Sequence, residues 1–77
     1  MIKVSFSSNV KRFTSNPFDE NTTTVRQFLE ENEIDYSRAI TSIDGCPLQA
    51  GDMDKTFADF GITEKCLLTS VVKADNA

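Results

Sequence analysis

The chain is 77 residues long, enough for one small domain near the lower limit of what folds without metals or disulfides. Its 39% hydrophobic content, with six phenylalanines, supports one small core and is too high for a disordered chain. A net charge of −4 with eight scattered basic residues argues against nucleic acid as a partner, and no apolar run approaches the ~18 residues of a membrane span.

Taken in chain order, Ile2, Val4 and Phe6 alternate with Lys3, Ser5 and Ser7, the period-two pattern of a half-buried strand. These opening residues show no basic-then-apolar leader, so the expected location is cytoplasmic. Ser7, Ser8 and Asn9 supply turn chemistry, and Val10 to Ser15 is expected to return as a second strand with Phe13 inward. Pro17 ends that hairpin, because proline cannot donate to a ladder, and Phe18 is expected to fold back over the edge of the core.

The one stretch with helical periodicity follows. Val25, Phe28 and Leu29 share a face at the i, i+3, i+4 spacing, with Arg26, Gln27, Glu30 and Glu31 on the others. The spacing predicts a helix over about 24–32, capped by Thr24, with Gln27 returning a bond to the cap. Ala39 to Ile43 reads as a short third strand, and Asp44 with Gly45 is a strong hairpin signal. A brief return strand is expected at Pro47 to Gln49, then a turn over Ala50 to Asp52 with Met53 filling a gap beneath it. Phe57, Phe60 and Ile62 fit a single 3₁₀ or α turn broken at Gly61, and Cys66 to Lys73 is the last, central strand. The domain is expected to span residues 1–73 and end in a polar tail, 74–77. A lone helix among strands must lie across one face of a sheet of four or five of them. The expected core is Ile2, Val4, Phe6, Phe13, Val25, Phe28, Leu29, Ile43, Leu48, Phe57, Phe60, Ile62, Leu68 and Val72.

Chemistry is sparse. Cys46 and Cys66 make no disulfide framework and, without histidine, no common zinc site, so both are expected as reduced thiols. Asp52, Asp54 and Asp59 lack the glycine and terminal glutamate of a calcium loop and read as turn formers. Glu30, Glu31, Glu33 and Asp35 read as a solvated helix end, or alternatively as a docking surface for a basic partner. The phenylalanines have no interleaved cations to make a base-stacking platform. No catalytic constellation, cofactor motif or small-molecule site is evident, so the expectation is a non-enzyme without cofactor or metal.

Two stretches are similar to known proteins. Residues Thr23 to Ile34 are similar to the helix of the small sulfur carriers of thiamine and molybdopterin synthesis. Residues Gly51 to Ile62 are similar to the loop before ubiquitin's last strand, with Asp59, Phe60, Gly61 and Ile62 standing where ubiquitin has Asp-Tyr-Asn-Ile. Together they make nearly the whole chain resemble a ubiquitin-like β-grasp domain, of the type of short bacterial ubiquitin-like proteins.

The resemblance implies an α+β fold whose first and last strands pair in parallel at the centre of a mixed sheet. It would point Cys66, Leu68, Ser70 and Val72 inward and leave Leu67, Thr69 and Val71 on the open face. Ubiquitin's apolar recognition patch aligns its central isoleucine with Ser42, and only Val71 of the trio is retained. Ubiquitin and the sulfur carriers end in Gly-Gly, whereas this sequence closes Asp75, Asn76, Ala77 with no glycine after Gly61. The leading expectation is a non-catalytic module that binds another protein through Ser42, Leu67, Thr69 and Val71. The alternatives are a modifier or sulfur carrier activated at its C-terminus, and a regulatory component of a larger enzyme assembly.

Overall fold

In the computed structural model, which describes residues 1–72, five strands form one mixed sheet. They are β1 (Lys3–Ser8), β2 (Arg12–Thr14), β3 (Ala39–Ile43), β4 (Cys46–Pro47) and β5 (Lys65–Val72), in the spatial order β2-β1-β5-β3-β4. The central pair, β1 and β5, is parallel, with Val4 opposite Cys66 and Phe6 opposite Leu68; the other pairings are antiparallel. Parallel neighbours need a long crossover, and the helix α1 (Val25–Glu31) with the β3–β4 hairpin lies within it. The fold is α+β in a β-grasp-like arrangement. Lys73 and the expected tail, 74–77, lie outside the described residues. Among the described residues no helix is long and apolar enough to cross a membrane.

The helix is one residue shorter at each end than its spacing predicts. Thr24 is its N-cap in extended conformation, and its Oγ1 accepts from the Gln27 N–H at 3.0 Å. The Gln27 side chain does not return to the cap; it reaches forward to Glu31 instead, at 3.5 Å. Backbone bonds fix where the helix starts: Val25 N–H donates to the Lys55 carbonyl and Phe57 N–H to that of Thr23. At the other end Glu33 takes a left-handed conformation, with φ 58°. The Glu33 N–H then reaches the Glu30 carbonyl and the Ile34 N–H that of Leu29, which satisfies two of the carbonyls a helix end leaves open.

Val25, Phe28 and Leu29 press against Ile2, Val4, Phe6, Ile43, Phe57, Ile62, Cys66 and Leu68 to make one core. Met53 joins it from a 3₁₀ segment (Ala50–Asp54) that stands where a simple turn was expected. A second 3₁₀ segment (Ala58–Phe60) ends at Gly61, whose φ of 79° is open to glycine at little cost. Phe18 folds back as expected, exchanging two backbone bonds with Ile2 and packing its ring on Phe28 and Phe57 at 5.5 and 5.3 Å.

Several expectations are corrected. β2 is short because the Ser8 hydroxyl accepts from the Val10 and Lys11 N–H groups, which spends residues 9–10 on the turn and leaves Val10 94% exposed. β4 comes earlier than expected, since the tight Asp44–Gly45 turn brings Cys46 straight back opposite Ile43. Phe13, Leu48 and Phe60 are only partly buried, packed at the borders of the core. Val72 is 54% exposed rather than core: β5 outruns the helix, and at that level the facing strand offers only Ala39.

Candidate functional site

A strand at the centre of a sheet sends alternate side chains to opposite faces. On β5 the residues Cys66, Leu68 and Ser70 are buried toward the helix, while Leu67, Thr69 and Val71 point away from it. The same parity on β3 buries Thr41 and Ile43 and turns Ile40 and Ser42 outward. On β1 it turns Lys3, Ser5 and Ser7 outward, and on β2 Arg12 and Thr14.

Register arranges these outward residues in rows across the sheet. Lys3 lies opposite Lys65. In the next row Thr14, Ser5 and Leu67 are neighbours, followed by Arg12, Ser7, Thr69, Ser42 and Pro47. Val71 and Ile40 close the face at the far end. Ser42, Leu67, Thr69 and Val71 are therefore brought together on one surface, with Ser42 and Thr69 direct partners. Ile40, Leu67 and Val71 are 47%, 46% and 51% exposed, so their apolar surface is accessible and separated by small hydroxyl side chains.

Two members of this face escape a reading of the sequence alone. Ile40 sits in a weakly patterned strand, and only the burial of Thr41 and Ile43 fixes its direction. The Lys3–Lys65 adjacency joins residues far apart in sequence and follows from the parallel register.

The other polar groups hold the fold together. Arg26 donates to Asp54 at 2.8 Å and to the Tyr36 hydroxyl at 3.2 Å, and that hydroxyl donates to Glu30 at 2.8 Å. These bonds tie α1 to the first 3₁₀ segment and to the loop after the helix. Asp52 accepts the Gln49 N–H at 2.9 Å and pairs with Lys55 at 3.1 Å, which holds its carboxyl below the usual range. Asp59 accepts the Thr56 N–H at 3.0 Å. Within the acidic helix end, Glu30 serves Tyr36, and Asp35 accepts from the Ser37 hydroxyl and N–H, which lowers its pKa.

Cys66 is buried and Cys46 exposed, both as free thiols. Desolvation pushes the Cys66 thiol up to about 11, with the negative charge of Asp44 adding to the effect. It is a core residue in chemical terms as well as in packing, because a thiolate there is strongly disfavoured.

No family model, curated protein or solved structure matches this chain at a significant level. The structure by itself establishes a small α+β domain with a five-stranded mixed sheet and a helix packed across one face.

Proposed function

We propose that the protein is a ubiquitin-like interaction module, cytoplasmic and without catalytic activity or cofactor, that binds another protein through the open face of its sheet. The observation that carries this reading is the exposure of Ile40, Leu67 and Val71 on the two adjoining strands β3 and β5. Rigid strands present these side chains with little conformational freedom to lose, and the surrounding Ser5, Ser42 and Thr69 let a partner approach without stripping many charges of water. The parallel β1–β5 centre and the strand order support the β-grasp likeness that the sulfur-carrier-like helix and the ubiquitin-like loop together suggest. Three half-exposed apolar side chains make a small patch, so the contact belongs to the weak class or forms within a larger assembly.

Substituting Leu67→Asp and Val71→Asp together tests the reading. Both positions face solvent, so the circular dichroism and thermal midpoint should be retained while partner capture is lost. Capture that survives this change but disappears on removal of residues 74–77 contradicts the reading and favours a carrier.

A further inference from the structure

Taking the open face as the binding surface, we infer that its partner is an acidic, apolar segment of another protein. The charged side chains that the strands carry on this face are Lys3, Arg12 and Lys65, all cationic, in a chain whose net charge is −4. Among the described residues the acids lie on the helix, in the loops, and in the turns at the ends of the strands. Asp44, in one of those turns, already accepts the Leu67 N–H at 2.9 Å.

Lys3 and Lys65 are the sharper observation. They stand directly opposite one another on the central strands, and like charges in that position destabilise a sheet. Among the described residues none of the ion pairs involves Lys3, Arg12 or Lys65, although Lys55 and Arg26 both find aspartates. A partner carboxylate placed between the two ammonium groups would relieve their repulsion.

The rows also give the bound segment a polarity. Successive rows are two residues apart, so the lysine row and the Ile40–Val71 row are separated by roughly 20 Å. The lysines mark one end and Ile40 with Val71 the other, with Leu67 and Arg12 in the rows between. A segment with acid at the lysine end and mainly apolar side chains along the rest matches that layout. An extended polyanion fits less well. Screening confines the pull of three cations to about 8 Å at physiological salt, and a nucleic acid or an anionic membrane would also meet the acidic remainder of the protein.

The test maps amide shifts in the full-length protein against three probes. They are a synthetic peptide with glutamates at one end and leucines at the other, its counterpart with lysines for the glutamates, and vesicles containing phosphatidylserine. The acidic peptide should shift the amides of Lys3, Ile40 and residues 65–71, and added salt should weaken it. Lys3→Glu should weaken that binding on the order of fivefold or more. The same substitution should raise the thermal midpoint, because it turns a like-charge pair into an opposite one. A residue with a merely structural role would not lose binding while gaining stability. Equal binding of the lysine peptide at these amides overturns the acidic preference and leaves the open-face reading standing. Vesicle binding lost in Lys3→Glu overturns the inference in favour of a membrane. No shift on this face with any probe overturns the inference, while the open-face reading stands or falls separately on partner capture by the Leu67→Asp, Val71→Asp variant.

Discussion

The Ile34 N–H closes on the Leu29 carbonyl at 2.9 Å, across a Glu33 held at φ 58°. A side chain at that φ is strained, and a negative charge just past a helix C-terminus also opposes the helix dipole. Glycine removes both costs. Glu33→Gly is therefore expected to stabilise the protein by about 1 kcal/mol, read as a higher urea midpoint with an unchanged slope. A loss of stability would show that the Glu33 side chain makes a contribution outweighing its strain.

Phe28 occupies the middle of an aromatic chain, with its ring 6.2 Å from Phe13, 5.5 Å from Phe18 and 5.7 Å from Phe57. It also joins the helix to both ends of the core. Phe28→Ala should cost on the order of 3–5 kcal/mol, a large part of what a domain this small possesses. Equilibrium urea unfolding measures it directly. A cost below about 1 kcal/mol would mean that the helix is not the cover of this core.

How much of this was legible beforehand depends on how local each cause is. The helix, the Asp44–Gly45 turn and the Gly61 break each carry a signal within a few residues, and all three form. The helix nevertheless runs one residue shorter at each end, and its start is fixed by backbone bonds with Lys55 and Phe57. The face of Leu67 and Val71 comes from the β-grasp resemblance, because residues 66–72 are apolar on both parities and mark neither face by themselves. Val72 departs from the expected core because the resemblance gives its direction without saying where the covering helix ends. The shortening of β2 came from the Ser8 hydroxyl competing for backbone N–H groups, a choice between two local bonding patterns that sequence leaves open. Ile40 and the Lys3–Lys65 pair depend on register between distant segments, so no local signal marks them.

Thiol labelling separates the two cysteines. Cys46 is exposed, whereas Cys66 is buried with a pKa pushed up to about 11. One thiol per folded chain should react quickly near neutral pH and the second only under denaturing conditions. Fast reaction of both would place β5 one residue out of register, since a single slip exchanges its faces.

Acid should weaken the fold through Asp35 and Asp52. Hydrogen bonds from Ser37, and from Gln49 together with Lys55, hold these carboxyls below their ordinary value of 3.8. The folded state then binds protons less readily than the unfolded one. Their contribution is complete above 3.8 and is lost as pH falls through the lower folded values. Urea midpoints taken from about pH 6 to about pH 2 should fall at the acid end, and Asp52→Asn should flatten part of that fall. An unchanged acid limb in that variant would remove Asp52 from the account.

Site-specific photo-crosslinking in native cells tests the central claim most directly. A photoreactive side chain at Ser42 or Thr69 lies in the middle of the open face, and one at Gln27 lies on the exposed side of the helix. The account predicts protein adducts from positions 42 and 69, little from position 27, and loss of those adducts in the Leu67→Asp, Val71→Asp variant. Adducts from position 27 alone, or adducts indifferent to the double substitution, would contradict it.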